Sequence, residues 1–356
     1  ARRLRATAPP GLAPLSVPPS ARGLGGRPAL GGVPRCLSAG AAAGPRPYRA
    51  FLLDMDGVLH QFGKPVRGAK EFLAHLASQD VPFIVVTNEC RYTNEALQHK
   101  LEQLLDVKVP TCQIYTCANS VGDFFARALS KGWCGNVFAI GEDGLRDSIL
   151  RALEINPGSR LLTPADPEDP SVHCDFVCIG SVFTGGSNDT MTGAERASTY
   201  LRNGAKLVYS NPDWFEVTAD GDYKFGCPMP VVNLLQHTTG CTSYNLGKPN
   251  PFMLRQAHKK LVEAAMSPLS PNQRSFVNGK IDLSEVLFVG DSIDTDVRIA
   301  IENGIDAALV LSGTTKEDKL KLSAIQPNYV FDTIEELHAA LREGVLTCGG
   351  RSHSEY

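Results

Sequence analysis

The chain of 356 residues is long enough for one large domain or two of ordinary size. Its composition, 43% hydrophobic and 21% charged, is typical of a soluble globular protein, and its apolar runs are far too short to cross a bilayer. A formal net charge of −3 gives no sign of a nucleic-acid-binding surface. We therefore expect neither a membrane nor a nucleic acid as a partner.

The first 50 residues differ from the rest of the chain in charge. They contain eight arginines and no acidic residue, and the first carboxylate is that of Asp54. Subtracting this +8 from the net −3 leaves −11 for the remainder. A leader rich in Arg, Ala, Ser, Pro and Gly predicts an organelle transit peptide, here over residues 1–47. The stretch RCLSA at 35–39 favours the mitochondrion; a plastid leader and a disordered tail on a cytoplasmic protein are the alternatives.

From Tyr48 onward, short apolar runs alternate with stretches of helical periodicity. Runs such as RAFLL, VPFIVV, DFVCI and EVLFVG predict buried strands, and stretches such as GAKEFLAHLASQ predict amphipathic helices. Buried strands that alternate with helices indicate an α/β fold with a mostly parallel sheet. Pro-rich loops are predicted at 156–171 and 267–280, and a mobile tail is predicted at 346–356.

Polar residues follow several of the predicted strands where each strand ends. They are Asp54 and Asp56, Thr87 and Asn88, Lys248, and Asp291 with Asp294 and Asp296 behind it. Since ligands collect at the carboxyl ends of parallel strands, we expect these side chains to converge on one edge of the sheet. Residues i and i+2 of an extended chain point the same way, so Asp54 and Asp56 share a side.

A cluster of carboxylates at this edge needs a cation or a shared proton, because like charges so close destabilise a fold. Hard carboxylate oxygens with few or no histidines suit Mg²⁺. Two other motifs do not fit. An EF-hand that starts at Asp54 would need glycine at 59 and glutamate at 65, where Leu59 and Pro65 stand. The GKP at 247–249 lacks the Ser or Thr that follows the lysine of a P-loop.

The ordered segments DMDGVL, VVTN, LGKPNPFML and FVGDSIDTDV resemble the four motifs of the haloacid dehalogenase (HAD) superfamily. Over residues 50 to about 335 the chain is most similar to the type IIA phosphatases, which include nucleotide, phosphoglycolate, pyridoxal-phosphate and 4-nitrophenyl phosphatases. The resemblance implies an α/β fold with a Rossmann-like parallel-sheet core and an inserted α/β cap domain. The core would comprise residues 48–130 and 243–345, and the cap would comprise residues 131–242.

The resemblance also implies roles for the clustered residues. Asp54 would attack phosphorus and form an aspartyl-phosphate, and Asp56 would protonate the leaving oxygen and then deprotonate the hydrolytic water. Mg²⁺ would bind Asp54, the backbone carbonyl of Asp56, and Asp291, and would offset the repulsion between nucleophile and phosphate. Thr87 would hydrogen-bond the phosphoryl group, and Lys248 would neutralise it.

Further residues are expected around this centre. Asp296, with Asp294 as the weaker candidate, would bind metal-bound waters or Lys248 without contacting the metal itself. The residues expected to contact substrate are Thr87, Asn88, Glu89, Lys248 and, from the cap, Glu216.

Two places depart from the family. A second asparagine usually follows the Thr-Asn pair, where this chain has Glu89. The cap loop at 226–230 reads GCPMP instead of a sequence rich in Gly and Ala. Glu89 would either pair with Arg91 or Lys64, which would make it structural, or contact a cationic or hydroxyl-bearing part of the substrate.

Together these features predict a Mg²⁺-dependent phosphatase that hydrolyses small phosphomonoesters, such as a nucleoside monophosphate or phosphoglycolate. A catalytically weak relative that acts as a binding or scaffold protein is the alternative. A phosphomutase is disfavoured, because mutases in this superfamily generally carry a different cap. A homodimer formed through the cap is a further possibility.

Overall fold

The computed structural model describes residues 35–36, 47–169, 171–182, 187–266 and 281–348. Most of the predicted leader, the predicted loop at 267–280 and the tail from residue 349 onward lie outside the described residues. Among the described residues, no helix is long and apolar enough to span a bilayer.

The longer apolar runs of the sequence form short buried strands, and further strands of two or three residues lie between them. The strands are β1 (Arg35–Cys36), β2 (Pro47–Tyr48), β3 (Ala50–Leu53), β4 (His60–Gln61), β5 (Lys64–Pro65), β6 (Phe83–Thr87), β7 (Ile114–Thr116), β8 (Asn136–Ile140), β9 (Arg160–Leu162), β10 (Phe176–Ile179), β11 (Lys206–Tyr209), β12 (Glu216–Val217), β13 (Tyr223–Lys224), β14 (Ser243–Asn245), β15 (Val286–Gly290), β16 (Asp306–Val310), β17 (Tyr329–Phe331) and β18 (Thr347–Cys348).

The helices between them are amphipathic. They are α1 (Ala69–Ser78), α2 (Asn94–Leu105), α3 (Cys117–Ser130), α4 (Asp143–Leu153), α5 (Ser187–Arg202), α6 (Pro228–Thr239), α7 (Pro251–Ala265), α8 (Arg298–Ile301), α9 (Glu317–Leu322) and α10 (Ile334–Arg342). Short 3₁₀ turns lie at Thr111–Gln113 and Leu283–Glu285, and a π-turn at Ile293–Val297 leads into α8.

The larger sheet has the strand order β1-β17-β16-β15-β3-β6-β7, and its pairs are parallel except for β1 with β17. Helices α1, α2 and α10 cover one face, and α7 and α8 cover the other. Both faces of the sheet are therefore buried, which explains why its strands read as continuous apolar runs. In the centre, Leu53 pairs with Val289 of β15 and with Val85 of β6. This register places the carboxyl ends of β3, β6 and β15 side by side.

The smaller sheet is formed by residues that lie between β7 and α7 in sequence. Its order is β14-β11-β10-β8-β9, with every pair parallel. Helices α3 and α4 pack on one face, and α5 and α6 pack on the other. The fold is therefore the expected α/β parallel-sheet core with an inserted α/β cap. The cap layers extend past both predicted boundaries. Strand β14, which begins after residue 242, pairs with β11 of the cap sheet, and α3, which ends before residue 131, packs on the same sheet.

Two small antiparallel hairpins project from these layers. In the core, β4 and β5 form a flap directly after β3, with Phe62 (φ 51°) and Gly63 (φ 71°) at its turn. In the cap, β12 and β13 form a hairpin between β11 and α6.

Candidate active site

The carboxyl ends of β3 and β15 bring three carboxylates together. Asp54 follows β3 directly, and its N–H donates to the carbonyl of Val289 (2.8 Å). Asp291 follows β15, and Asp296 lies in the π-turn behind it. Each of the three is at most 6% exposed, and their carboxylate oxygens lie within 4.8 Å of one another. The strand ends therefore converge as the sequence predicts.

Lys248 adds a positive charge to this cluster. Its side chain is buried, and its Nζ lies 2.5 Å from Asp54 Oδ1 and 2.7 Å from Asp296 Oδ1. The same Nζ donates to the carbonyl of Val86 (3.0 Å). Burial lowers the pKa of Lys248, but the charges of Asp296 and Asp54 outweigh burial, so the pKa is raised and the ammonium form is retained.

Three carboxylates and one ammonium leave an excess of negative charge. Burial, followed by the charge of Asp296, raises the pKa of Asp54 well above its usual value, while Lys248 opposes the rise. Burial and Asp296 likewise raise the pKa of Asp291 to about 6. A divalent cation would remove this repulsion and favour the ionised carboxylates.

The residues at the cluster fit Mg²⁺. Asp54, Asp291 and the backbone carbonyl of Asp56 could hold the ion, because carboxylate and carbonyl oxygens are the ligands that Mg²⁺ prefers. Two glycines make room for Asp291: a Cβ added to Gly57 would come within 2.4 Å of its Oδ2, and one added to Gly313 within 1.8 Å. Gly57 also has a φ of 76°, a conformation that side chains disfavour.

Of the two acidic residues predicted behind Asp291, only Asp296 lies at the site. Its Oδ2 accepts the N–H of Asp291 (3.2 Å), and its Oδ1 faces Lys248. The structure does not bring Asp294 into the site. That side chain is 69% exposed and pairs with Lys319, because the π-turn leaves it on the outer side.

Thr87 and Asn88 lie at the end of β6. The buried Thr87 accepts the N–H of Glu89 at its Oγ1 (3.1 Å), and its hydroxyl hydrogen can be donated to a phosphoryl oxygen. Asn88 Oδ1 accepts the N–H of Lys248 (2.8 Å), and Asn88 Nδ2 donates to the carbonyl of Lys248 (3.4 Å). Asn88 therefore fixes the backbone that carries Lys248, and its contact with substrate stays a prediction.

Glu89 forms an ion pair with Arg91, which was one of its two expected roles. It is 7% exposed, and its two carboxylate oxygens lie 2.9 and 3.0 Å from Arg91 Nε. Burial raises the pKa of Glu89, but the hydrogen bonds and charge of Arg91 outweigh burial and lower it. Arg91 Nη2 also lies 2.8 Å from Glu216 Oε1, on β12 of the cap. Glu216 thus reaches the site through Arg91, and the three residues link the core to the cap.

Asp56 and His60 lie beside this cluster, where the chain turns from β3 into the flap. The Asp56 side chain is 64% exposed, yet it stands in the cleft between core and cap, where desolvation and then the charge of Glu89 raise its pKa to about 6. His60 is 4% exposed, with Nε2 3.7 Å from Asp56 Oδ1. Burial and then the charge of Lys100 lower the pKa of His60 to about 4, so its ring is neutral at pH 7.

Asp213, which lies in the cap loop after β11, is not among the residues predicted from the sequence. Asn211, two residues earlier, donates from Nδ2 to the backbone carbonyl of Asn88 in the core (2.9 Å). Desolvation raises the pKa of Asp213 to about 7, with Lys248 opposing the rise and the carboxylates of the cluster adding to it. Asp213 therefore interacts electrostatically with the charged residues of the site, from the cap side of the cleft. The signal that could have found it is the SNPD sequence, residues 210–213, which follows a cap strand.

Comparisons with known proteins agree with this geometry. A family described as haloacid dehalogenase-like hydrolase matches residues 51–155, and a second, described as HAD-hydrolase-like, matches residues 245–337. The two matched segments contain all four motifs, and they flank most of the cap.

Full-length relatives show the same similarity. A dihydroxyacetone phosphatase from Corynebacterium glutamicum is 27% identical over 288 residues, which is 81% of this chain and 90% of the relative. An acid sugar phosphatase from Staphylococcus haemolyticus is 27% identical over 297 residues, 83% of this chain and 96% of the relative. In fold, the chain is similar to NagD from Escherichia coli K-12, with a TM-score of 0.62 and 23% identity over 82% of this chain and 98% of that one. Both halves of the core therefore match haloacid dehalogenase-like hydrolases, and over most of its length the chain is similar to phosphatases.

Proposed function

We propose that this protein hydrolyses small phosphomonoesters with the help of Mg²⁺, through an aspartyl-phosphate on Asp54. The observation that carries the proposal is the buried Asp54 carboxylate, which follows the central strand and contacts Lys248 Nζ at 2.5 Å beside Asp291 and Asp296. A nucleophile beside a fixed ammonium suits transfer of a phosphoryl group, because this transfer depends on positioning and on stabilising negative charge.

The first half of the reaction moves the phosphoryl group to the protein. An Asp54 oxygen attacks phosphorus, the bond between phosphorus and the ester oxygen breaks, and the departing oxygen takes the proton of Asp56. Lys248 and the hydroxyl of Thr87 balance the charge on the phosphoryl oxygens. Mg²⁺ held by Asp54, Asp291 and the carbonyl of Asp56 would weaken the repulsion between the anionic nucleophile and the anionic phosphate.

The second half releases phosphate. Asp56, now ionised, takes a proton from a water molecule as that water attacks phosphorus. The bond between phosphorus and Asp54 breaks, which restores both carboxyl groups to their starting states. A pKa of about 6 for Asp56 suits a residue that must both give and take a proton near neutral pH.

For the substrate, we propose a small phosphate ester. The names of the two relatives, dihydroxyacetone phosphatase and acid sugar phosphatase, support a phosphorylated sugar or triose as the first candidate class. A nucleoside monophosphate or phosphoglycolate stays a second candidate.

Phosphate release from a panel of these esters and from 4-nitrophenyl phosphate tests the proposal. We expect turnover with Mg²⁺ and its loss with a chelator. Asp54→Asn should abolish turnover while the protein stays folded, because the amide fills the same volume and cannot form the acyl-phosphate. No turnover by the wild type on any ester would favour a binding or scaffold protein. Activity of Asp54→Asn above about a hundredth of wild type would remove Asp54 from the nucleophile role.

A further inference from the structure

His60 occupies a fixed position beside the active site. Its N–H donates to the carbonyl of Met55 (3.2 Å), and its carbonyl accepts the N–H of Gly57 (2.7 Å). These two hydrogen bonds fold the chain back on itself between β3 and the flap, so the imidazole has little freedom to move.

The surroundings of His60 on its own loop are apolar. Its neighbours Met55, Val58 and Leu59 have no exposed surface, and its own side chain is 4% exposed. Within the described part of the chain, neither ring nitrogen has a hydrogen-bond partner. Buried polar atoms without partners are rare because they cost stability, and an apolar side chain would fill this place without that cost. The presence of histidine therefore calls for a functional explanation.

His60 faces a carboxylate that the proposed mechanism uses twice. Nε2 lies 3.7 Å from Oδ1 of Asp56, which is beyond hydrogen-bonding distance. The Asp56 side chain is exposed, so a small rotation of it closes this gap. Hydrogen bonds of catalytic groups are often long without substrate and shorten once substrate is bound. Two other charged groups act on His60: Glu89 is paired with Arg91, and the Lys100 ammonium lies over the ring of Tyr92 (4.9 Å to the centroid).

We propose that His60 is a positioning residue for Asp56, to which its Nε2–H donates a hydrogen bond once Asp56 has given its proton to the leaving oxygen. The hydrogen bond forms as the carboxylate forms, so it stabilises the step in which the ester bond breaks. It also aims the carboxylate at the water that attacks next. This inference rests on the proposed phosphatase function and on the acid role of Asp56.

Leaving groups of different basicity separate this role from a structural one. An alkyl phosphate, such as glycerol phosphate, needs a proton on its leaving oxygen, whereas 4-nitrophenyl phosphate needs little help. The parameter to compare is kcat/KM, because it reports the steps up to release of the alcohol and is not affected by the later hydrolysis of the aspartyl-phosphate.

Three substitutions of His60 form a matched set. Glutamine places an amide N–H near the position of Nε2, asparagine is one methylene too short to do so, and leucine suits the apolar surroundings without any donor. We expect His60→Asn and His60→Leu to lower kcat/KM for the alkyl phosphate by about 10- to 100-fold, and for the nitrophenyl ester by less than about threefold. We expect His60→Gln to stay within about threefold of wild type on both esters.

Equal losses on the two esters, or equal behaviour of the glutamine and asparagine variants, would overturn the proposal. Melting temperatures identify a variant that does not fold, and His60→Leu is expected to melt no lower than wild type because it removes two unpaired polar atoms. Failure of the phosphatase function itself is a different result. In that case the wild type releases no phosphate from either ester, and Asp54→Asn does not differ from it.

Discussion

Lys248 contacts two buried carboxylates at once, Asp54 at 2.5 Å and Asp296 at 2.7 Å. A buried ammonium loses its hydration, and only such close partners compensate for that loss. The same contacts keep Asp54 pointed along the edge of the sheet. Because Asp291 lies within the same cluster, the charges are not balanced by the lysine alone. The residue thus stabilises the site while leaving it attractive to a cation.

This balance predicts how the protein responds to loss of the ammonium. In Lys248→Met the cluster keeps three carboxylates and no positive side chain, so the melting temperature in a chelator should fall. Added Mg²⁺ should then raise the melting temperature by more than it does in wild type, since it relieves a larger repulsion. Phosphatase activity should drop by about 100-fold or more, because the phosphoryl charge is no longer neutralised.

Thermal unfolding with and without Mg²⁺ provides the measurement. Lys319→Met is the matched control, because Lys319 pairs with the exposed Asp294 outside the cluster. It should leave the Mg²⁺ response unchanged. A Mg²⁺ shift in Lys248→Met that is equal to or smaller than that of wild type would show that the lysine does not compete with the cation for the carboxylates.

Glu89 is held by Arg91, and this pair gives a prediction for stability. The pKa of Glu89 is lowered in the folded protein from its usual 4.5. A lowered pKa means that the pair contributes stability above pH 4.5, and that the contribution is lost as pH falls through the folded-state value. Glu89→Gln should therefore lower the free energy of unfolding at neutral pH by about 1–3 kcal/mol, since it leaves a mostly buried arginine with one partner fewer.

Denaturant unfolding at several pH values measures this effect. The difference between wild type and Glu89→Gln should shrink as pH falls below about 4.5. Glu335→Gln is a control, because Glu335 pairs with Arg67 on the surface, and it should cost less than about 0.5 kcal/mol. A loss of affinity for some substrates alone, at unchanged stability, would instead support direct contact between Glu89 and substrate.

At the scale of elements, the sequence predicts whatever depends on local pattern. Continuous apolar runs locate β3, β6 and β15, and polar residues directly after them locate Asp54, Thr87 and Asp291. Parallel pairing then brings these residues together. The resemblance adds the cap between the two halves of the core.

What the sequence does not predict depends on contacts between distant segments or on the geometry of one turn. The pairing of β14 with β11 extends the cap sheet past the predicted boundary, and no local pattern signals it. Asp294 and Asp296 look alike in sequence, and only the π-turn separates the exposed one from the buried one. The pairing of Arg91 with Glu216 joins residues 125 positions apart, so the sequence could place Glu216 near substrate but not against Arg91.

The β12–β13 hairpin of the cap exposes several aromatic rings beside the site. Phe215 and Tyr223 pack edge to face with centroids 4.3 Å apart, while Trp214 is 48% exposed. Trp214 lies between Asp213, whose pKa responds to the cluster, and Glu216, which contacts Arg91. This position suits contact between Trp214 and the organic group to which the phosphate of the substrate is attached.

We therefore expect Trp214→Ala to raise KM for an aryl phosphate by about two- to tenfold, the effect of losing one aromatic contact. KM for glycerol phosphate should change little, because that substrate has no ring to stack. Leu322→Ala serves as a control, because Leu322 is an apolar residue on the surface of the core domain and is 88% exposed. Steady-state kinetics on both esters decides the matter. An unchanged KM together with a change in molecular mass by light scattering would instead assign Trp214 to a homodimer contact through the cap.

For the whole molecule, the arginine-rich leader predicts a mitochondrial location but no part in catalysis. The described residues of the leader form only the two-residue strand β1 and the first residue of β2, and β1 pairs with β17 at the edge of the larger sheet, away from β3. A form that starts at Arg46 should keep kcat/KM within about twofold of the full chain. Fluorescence microscopy of the full chain with a carboxyl-terminal tag tests the location. A tagged protein that stays in the cytosol would contradict the transit-peptide prediction.

The contacts between core and cap include two polar contacts of different strength at the rim of the cleft. Asn211 of the cap donates to the carbonyl of Asn88 within a buried environment. Glu216 contacts Arg91 at 2.8 Å, but its side chain is 40% exposed. The second contact is the weaker one and is accessible to salt, which makes it a point at which the position of the cap can be altered without unfolding the protein.

A substitution at Glu216 tests the role of this contact. Glu216→Gln removes the ion pair between Glu216 of the cap and Arg91 of the core but leaves Arg91 bound to Glu89. The melting temperature should therefore change little, in contrast to Glu89→Gln. An exposed pair contributes at most about 1 kcal/mol, so the closed arrangement should lose up to about fivefold in population. Because substrate binds the closed cap, KM should rise by up to that factor for small and large esters alike, and kcat should rise if opening of the cap limits release of phosphate.

Raising the salt concentration should bring the KM of wild type toward that of the variant, since salt screens the same pair. If the KM of Glu216→Gln rises for some esters only, and does so equally at low and high salt, then Glu216 contacts the substrate directly and does not act through Arg91.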